Sequence, residues 1–417
     1  MHIAIIGAGI TGVTTAYELA RDGHAVTVFE RHGSVGEEAS FANAGIIAPE
    51  FAVPWRASHW LRRFFARRQA ALRLTWPLSG EDLAWLRRQR HASASDIRII
   101  SQTAMQRLAS YSRVRLHQVA DQLDYTFDRV EGVLILLRTE RDRARAQPNL
   151  VRLRDAGATC REIDADEARQ LEPALHPATP LAGAIDVPDG EAGNCRQFAV
   201  IVRDAAEQQG VQFVFNTAAT LDPAQPARLW IGGQDAPCQF DAVVLCAGVA
   251  AGQLLAPLGI RLPLVPIYGY SLSAPVAEPV LAPRAAVLDG EIAITCLGRR
   301  VRVAGLAEIG GRRSDADVPA RMLPAWAEQR LYRALTDWFP AAVNLTNGVQ
   351  VWRGARPMLP DGPPVLGACG VPGLLLNLGH GAYGWSMACG AARITADLVA
   401  GHAPEIDLHG LGMERFR

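Results

Sequence analysis

The chain begins with two short apolar runs separated by a glycine-rich turn and an amphipathic stretch. Residues 3–6 are apolar throughout, as in a buried strand, and the sequence Gly-Ala-Gly-Ile-Thr-Gly follows at once at 7–12. Apolar positions then recur at helical spacing over 13–23, and a second apolar run at 25–29 ends in Glu30. The pattern predicts a strand, a turn, a helix and a second strand within the first 30 residues.

The turn at 7–12 has the glycine spacing of a dinucleotide-binding fingerprint. Gly7 permits the tight turn, Gly9 lets the backbone approach a pyrophosphate, and Gly12 lets the helix pack closely against the strand. The helix N-terminus then offers N–H groups and a partial positive charge to the phosphates. Glu30 is placed to accept hydrogen bonds from a ribose, and its charge would repel the 2′-phosphate of NADP. The unit therefore predicts a site for FAD or NAD.

Later parts of the chain predict a second domain with antiparallel strands. Alternating side-chain character predicts strands at 132–137, 293–295 and 301–304. Helical spacing of apolar residues predicts helices at 81–90, 97–122 and 196–209.

The composition is that of a folded protein rather than a disordered or fibrous one. The length of 417 residues suggests two or three domains of about 150 residues each. Basic and acidic residues number 42 each, so binding of nucleic acid through a global positive charge is not expected. Every one of these basic residues is an arginine. A Schiff-base lysine and a P-loop, which also requires a lysine, are therefore excluded.

The cysteines and the N-terminus indicate the cellular compartment. The seven cysteines are scattered without a Cys-x-x-Cys pair, so no metal site is expected. An odd number of cysteines in a chain of this size favours reduced thiols and a cytoplasmic location. No signal peptide is expected, because the apolar run at 3–6 has no basic start and gives way to glycines.

Three segments far apart in the chain resemble flavin-contacting segments of the D-amino-acid oxidase-like superfamily. Residues 40–47, Ser-Phe-Ala-Asn-Ala-Gly-Ile-Ile, resemble the loop that runs beside the flavin. Residues 379–387, Gly-His-Gly-Ala-Tyr-Gly-Trp-Ser-Met, resemble the segment that places a helix N-terminus at the flavin, where it would stabilise negative charge. The Cys-Ala-Gly at 246–248 resembles the second contact loop on FAD.

Over essentially the whole chain, the sequence resembles bacterial D-amino-acid dehydrogenases of the small-subunit type. The motifs that carry this resemblance are the N-terminal fingerprint and the segments 42–45, 188–193, 269–272, 352–362 and 379–390. The chain departs from the family where Tyr268 replaces a frequent lysine and where Ala355 replaces the leucine before the motif arginine. The resemblance implies an enzyme that binds FAD, and the binding is expected to be noncovalent because 352–362 contains no cysteine.

The fingerprint and the three similar segments together imply a set of FAD contacts. These residues are Gly7, Gly9, Ile10, Thr11, Gly12, Glu30, Arg31, Ser40, Asn43, Ala44, Gly45, Ile46, Ala247, Gly248, Gly379, His380, Gly381, Tyr383, Gly384 and Trp385.

The resemblance and the pattern of elements predict an α/β fold with two domains. One is a Rossmann-like FAD-binding domain, and the other is an α+β substrate domain with a mainly antiparallel sheet. The FAD-binding domain is expected to be discontinuous and to comprise 1–85, 196–254 and 345–417. The substrate domain is expected to comprise 86–195 and 255–344.

Four residues are candidates for contact with the substrate. The resemblance implies that Arg356 binds the substrate carboxylate, for which the planar fork of a guanidinium is well suited. Tyr268 and Tyr270 are expected on a strand that approaches the flavin, where they would donate to the carboxylate, wall the pocket or only pack. His380 lies within the flavin segment, with a plain hydrogen-bonding role as the alternative. No general base is assigned, because an amine that arrives neutral needs none.

The expected activity is FAD-dependent oxidation of D-amino acids to 2-oxo acids and ammonia. A hydride would pass from the α-carbon to flavin N5, and the electrons would go to a quinone or another acceptor that is not oxygen. The alternatives are an oxygen-using oxidase of glycine, sarcosine or another secondary amine, and a D-hydroxyproline or opine dehydrogenase subunit. A non-catalytic flavin subunit of an electron-transfer complex is an alternative of a different class.

An arginine-rich aromatic segment predicts peripheral contact with the inner membrane. Residues 55–68 combine tryptophans and phenylalanines with five arginines, and Arg73 adds a sixth. Such a segment can lie in a membrane interface, held by anionic lipid and buried rings. The alternative is a solvated helix with its aromatic face in the core.

Overall fold

The two apolar runs near the start of the chain form neighbouring parallel strands, as the sequence predicts. The computed structural model describes residues 1–52, 54, 72–93, 95–155, 157, 159–311 and 322–416. The predicted membrane-contacting segment at 55–68 lies outside these residues, although Arg73 is described. Each described helix is too short or too polar to cross a lipid bilayer.

A largely parallel sheet is built from widely separated parts of the chain. Within the described residues it has six strands, in the spatial order β18 (Val365–Ala368), β19 (Leu374–Leu378), β12 (Ala242–Leu245), β1 (His2–Ile6), β2 (Ala25–Phe29) and β8 (Gln212–Val214). The pair β18–β19 is antiparallel, whereas the other neighbours are parallel. Strands covered on both faces read as continuous apolar runs, which is why β1 and β12 carry almost no polar residue.

A second, larger sheet is mainly antiparallel. In the described part of the chain its main path runs β17 (Gln350–Met358), β13 (Val265–Pro275), β16 (Arg300–Gly310), β15 (Ile292–Leu297), β14 (Ala286–Asp289), β5 (Val130–Leu137), β7 (Gly183–Ala192) and β3 (Ile46–Ile47). Two short strands extend it, namely β4 (Arg73–Thr75) on β16 and β6 (Arg161–Ile163) on β7. The strands predicted at 132–137, 293–295 and 301–304 fall within β5, β15 and β16.

The described helices include the three that the sequence predicts. The described helices are α1 (Ile10–Arg21), α2 (Gly80–Ala92), α3 (Ser95–Leu123), α4 (Glu140–Asp155), α5 (Ala165–Leu171), α6 (Cys195–Gln208), α7 (Ala251–Leu255), α8 (Ala325–Trp338) and α9 (Gly384–Ala400). The predictions at 81–90, 97–122 and 196–209 match α2, α3 and α6 to within two residues at each end. A small sheet of β9 (Ala219–Leu221), β10 (Arg228–Ile231) and β11 (Cys238–Gln239) completes the regular structure of the described residues.

Two buried apolar clusters support the two sheets. One joins β1 and β2 to α1, α6 and α9, with Phe198 and Trp385 among its large side chains. The other fills the space between the larger sheet and α8, with Tyr270 and Trp338 at its centre. The α/β fold with a mainly antiparallel second sheet is the predicted one. The predicted domain limits by residue number stay a prediction.

A buried carboxylate joins three helices of the first cluster. Glu18 of α1 accepts hydrogen bonds from Nε and Nη2 of Arg115 on α3, at 2.6 and 2.7 Å. The same carboxylate accepts a third from Nη1 of Arg393 on α9, at 3.0 Å. The Glu18 side chain is only 1% exposed, and the two arginines are also largely buried. The network therefore fixes α3 and α9 against the fingerprint helix.

The Glu18→Ala variant should lower the free energy of unfolding by about 3–5 kcal/mol, because it leaves two buried guanidinium groups without their shared partner. Denaturant unfolding of the FAD-loaded protein measures this change. Glu140→Ala is the matched control, since Glu140 is 76% exposed in its pair with Arg143 and should change stability by less than about 0.5 kcal/mol. Equal small effects for both variants would show that the network does not stabilise the fold.

Candidate active site

The glycine-rich turn lies between β1 and α1, and two of its glycines are required by their surroundings. Gly7 has a φ of 103°, and a Cβ there would lie 2.7 Å from the carbonyl oxygen of Cys246, which follows β12. A Cβ on Gly12 would lie 1.9 Å from the carbonyl oxygen of Gly7. The first glycine makes the turn, and the second lets α1 pack against it, as the fingerprint predicts.

The N-terminus of α1 and the end of β2 meet at this turn. Gly9, the N-cap residue, has no side chain that could cover the first N–H groups of the helix, and the Ile10 N–H donates to the Ser40 hydroxyl at 3.1 Å. The Glu30 carboxylate accepts hydrogen bonds from the N–H groups of Ala8 and His32, at 2.7 and 2.8 Å. A fixed acid beside open helix N–H groups suits the ribose and pyrophosphate of a dinucleotide.

A cavity of 410 Å³ opens at this edge of the sheet and collects most of the predicted residues. Those that line it are Gly7, Gly9, Ile10, Thr11, Glu30, Arg31, Ser40, Asn43, Ala247, Gly248, Arg356, Gly379, His380, Gly381, Gly384 and Trp385. The predicted residues outside its described lining are Gly12, Ala44, Gly45, Ile46, Tyr383, Tyr268 and Tyr270. The lining thus joins stretches that are hundreds of residues apart in the sequence.

Other lining residues were not found from the sequence. They include His32, Glu37, Glu38, residues 217–220, Gln253 and Asn377. Asn377 carried a usable signal, because it is a single amide inside the otherwise apolar β19. It is fully buried, and its side-chain N–H donates to the Thr15 hydroxyl at 3.0 Å. Residues 217–220 carried no signal, since only the connection after β8 and the start of β9 bring them to the cavity.

The segment 43–46 is held by hydrogen bonds to four consecutive carbonyl groups. The Asn43 carbonyl accepts from the Arg302 guanidinium at 3.3 Å, and the Ala44 carbonyl accepts from the Thr295 hydroxyl at 3.4 Å. The Gly45 carbonyl accepts from the indole N–H of Trp385 at 3.1 Å and from the N–H of Gly193 at 2.8 Å. The Ile46 carbonyl accepts from the Ser386 hydroxyl at 3.0 Å. Burial lowers the pKa of the Arg302 guanidinium to about 10. The larger sheet and α9 therefore fix the backbone that presents Asn43 to the cavity.

Another part of the cavity wall is the segment that leads into α9. Gly379 and Gly381 have φ values of 80° and 56°, which favour glycine. Both also lack room for a side chain, because a Cβ would lie 2.4 Å from Leu359 Cδ1 in the first case and 2.6 Å from Met358 Sδ in the second. These turns start α9 at the cavity wall, where its N-terminus favours negative charge.

His380 lies in this wall as a neutral imidazole. It is 4% exposed, and desolvation lowers its pKa from 6.5 to about 3. Its Nε2 atom, like Oδ1 of Asn377, is buried without a hydrogen-bond partner in the described part of the chain. The glycine cradle, the open helix N-terminus and these polar atoms together fit a bound dinucleotide.

Arg356 supplies the positive charge of the β17 wall. Its Nη1 donates to the carbonyl oxygen of Leu306 at 2.8 Å, and it forms no ion pair with a carboxylate of the described residues. Burial lowers the pKa of its guanidinium, while the neighbouring Tyr383, Tyr270 and Glu291 act in the opposite direction. The Arg356 residue keeps partial exposure, and a partly desolvated cation beside a cavity favours binding of an anion.

Neither of the two predicted pocket tyrosines belongs to the described lining of the cavity. The Tyr270 hydroxyl donates to the buried Glu308 carboxylate, and its ring packs edge-on against Trp326 of α8 with 5.4 Å between the ring centroids. The Arg353 guanidinium lies 3.6 Å from the ring centroid of Tyr268. Both rings belong to the cluster under α8, so their contact with substrate stays a prediction.

A parallel sheet that ends in a glycine-rich turn, beside a cavity that strand β17 of the second sheet also lines, fits a dinucleotide-binding protein. Residues 2–398 match the family model described as FAD dependent oxidoreductase, and the chain belongs to this family. The protein is therefore an enzyme whose cofactor is FAD, which confirms the cofactor expected from the sequence.

Three known proteins illustrate the likeness. The D-amino acid dehydrogenase of Rhizobium rhizogenes is 36% identical over 430 residues that cover 100% of both chains. That of Cereibacter sphaeroides is 38% identical over 429 residues, which cover 100% of this chain and 95% of the relative. The crystal structure of glycine oxidase from Geobacillus kaustophilus covers 99% of this chain and 97% of its own with a TM-score of 0.74. At 22% identity, this last likeness concerns the fold.

Acidification should destabilise the protein through His380. Below pH 6.5 the unfolded chain gains a proton on this histidine, whereas the folded chain gains it only near pH 3. Stability from this group is therefore complete above pH 6.5 and falls by up to about 1.4 kcal/mol per pH unit as the pH decreases below that value.

Denaturant unfolding at pH 7.5 and pH 5.5 should therefore show a smaller loss of stability for His380→Gln than for the native protein, by about 1 kcal/mol. His402→Gln, at an exposed position, is the control and should lose as much stability between the two pH values as the native protein. If His380→Gln loses as much stability as the native protein, its imidazole is not held neutral in the fold.

Proposed function

We propose that the protein oxidises D-amino acids to 2-oxo acids and ammonia and passes the electrons to a quinone or another acceptor that is not oxygen. The relatives support an FAD-dependent amino-acid dehydrogenase or oxidase. The observation that carries the proposal is Arg356, a desolvated guanidinium in the wall of the dinucleotide cavity. The full-length likeness to D-amino acid dehydrogenases supports the choice of D-enantiomers.

The residues of the cavity have separate tasks in this proposal. FAD, when bound, supplies the hydride acceptor. Arg356 holds the substrate carboxylate through its planar fork and so fixes the position of the α-carbon. His380 stays neutral at physiological pH, so it adds no second cation to the wall that receives the substrate amine. An amine that arrives unprotonated needs no base, and hydrolysis of the imine product requires only water.

A membrane quinone is the proposed electron acceptor. The arginine-rich segment at 55–68 is the feature that favours a membrane quinone. Retention of the purified protein by floated anionic liposomes would support contact with a membrane, whereas complete recovery in the soluble fraction would contradict it.

A substrate panel tests the proposed reaction. The FAD-loaded protein is mixed without oxygen with D-amino acids, their L-enantiomers, glycine, N-methylglycine, D-hydroxyproline and an opine, and bleaching of the flavin is followed. D-amino acids should bleach it fastest, and a dye acceptor, rather than oxygen with release of peroxide, should sustain turnover. Rapid peroxide formation with glycine or N-methylglycine would favour an oxidase, and no bleaching by any compound would favour a non-catalytic flavin subunit.

The Arg356→Leu variant should raise KM for a D-amino acid by at least about 30-fold, because loss of one partner of a desolvated charge pair costs about 2–5 kcal/mol. FAD content should stay unchanged. The KM of Arg356→Lys should lie between those of the native protein and Arg356→Leu, since an ammonium keeps the charge without the planar fork. Arg333→Leu, whose native side chain is 81% exposed, is the control. Native-like kinetics for Arg356→Leu would remove this residue from the substrate site.

A further inference from the structure

A β-bulge lies directly beside Arg356. The pairing of β13 with β16 loses register at one point, where residues 306 and 307 of β16 lie opposite the single residue Gly269 of β13. Leu306 has a φ of 60°, which is uncommon for a residue with a side chain. At this bulge the Leu306 carbonyl oxygen accepts the hydrogen bond from Arg356 Nη1 at 2.8 Å.

The same guanidinium lies flat against the backbone of β13. A Cβ built on Gly269 would lie 2.2 Å from Nη2, 2.4 Å from Cζ and 2.7 Å from Nη1 of Arg356. Gly269 is not among the residues with positive φ, so its backbone conformation does not require glycine. What this position requires is the absence of a side chain, because any side chain would displace the guanidinium.

We propose that Gly269 and the Leu306 carbonyl group form a cradle that positions the Arg356 guanidinium for the substrate carboxylate. The inference rests on the carboxylate-binding role proposed above for Arg356. The flat contact with Gly269 limits rotation of the guanidinium, and the carbonyl oxygen engages one of its nitrogen atoms. The remaining N–H groups are then held ready for a carboxylate, and a guanidinium fixed in advance loses less freedom on binding.

Arg356 itself has the features that a positioned anion site needs. It lines the cavity, it is desolvated, and its one hydrogen bond to a described residue goes to a carbonyl rather than to a carboxylate. A backbone carbonyl orients the guanidinium without neutralising its charge. Gly269 and Leu306 are positioning residues in this scheme, because they act through Arg356 and need not touch the substrate.

A pair of glycine variants tests the cradle. Gly354 is the register partner of Gly269 on β17, and a Cβ there would meet no atom nearer than 3.5 Å. Gly269→Ala should therefore weaken binding of benzoate to the FAD-loaded protein and raise KM by at least about tenfold, because small displacements of a positioning group can cost up to ~100-fold. Gly354→Ala should change neither by more than about twofold.

The readouts separate positioning from general damage. Benzoate and its uncharged counterpart benzamide are titrated while the absorbance of the bound flavin is followed, and FAD content is measured in parallel. Gly269→Ala should weaken the binding of benzoate but not that of benzamide, and it should retain FAD. It should change kcat much less than KM. Equal weakening of both probes, or native-like affinity for benzoate in Gly269→Ala, overturns the cradle.

The Arg356→Leu background distinguishes failure of the inference from failure of the proposed function. If Arg356→Leu binds benzoate like the native protein, the carboxylate-binding role itself fails. If Arg356→Leu loses benzoate while Gly269→Ala keeps it, only the cradle fails. Addition of Gly269→Ala to Arg356→Leu should change benzoate binding by less than about twofold, because no guanidinium remains to be displaced.

The double variant also covers the case in which Gly269→Ala alone does not fold. Recovery of folded protein in Gly269→Ala/Arg356→Leu would support the predicted clash with the guanidinium. If the double variant also fails to fold, the methyl group clashes with something else, and the inference is wrong.

Discussion

A desolvated guanidinium without a carboxylate partner is unfavourable unless the fold holds it, and Arg356 is in this position within the described part of the chain. The larger sheet holds it through backbone groups: the carbonyl oxygen of Leu306 on one side and the bare backbone of Gly269 on the other. Neither group neutralises the charge. The fold therefore keeps a cation in the wall of the cavity, and under the proposed function the substrate carboxylate supplies a counter-charge.

Strands of both sheets line this cavity, so its shape depends on how the sheets are joined. The segment 43–46 provides one connection, since the larger sheet binds its first two carbonyl groups and α9 binds the next two. The Glu18 carboxylate stabilises the helices beside the first sheet, because it ties the fingerprint helix to α3 and α9. Under the proposed reaction, such contacts hold the parts of the cavity in one arrangement, as a hydride transfer between bound groups requires.

The sequence predicts the structural elements that residues close together in the chain determine. It predicts much less of the side-chain placement that depends on how distant strands pair. The strand, turn and helix around Gly7 could be read because each part lies within a few residues of the next. Alternation places Tyr268 and Tyr270 on one face of a strand, but the face that meets the cavity depends on pairing with β16 and β17, and the structure packs both rings under α8. The bulge at Leu306 has no local signal, since nothing in a leucine predicts a positive φ. Arg356 was found through family resemblance alone.

The most direct test of this account is a crystal structure of the FAD-loaded protein with bound benzoate. The account predicts that the carboxylate oxygens lie within about 3 Å of Arg356 nitrogen atoms, with the guanidinium still flat against Gly269. It also predicts that the FAD pyrophosphate lies at the turn formed by 7–12. Benzoate bound elsewhere, with the Arg356 side chain turned towards bulk solvent, would contradict it.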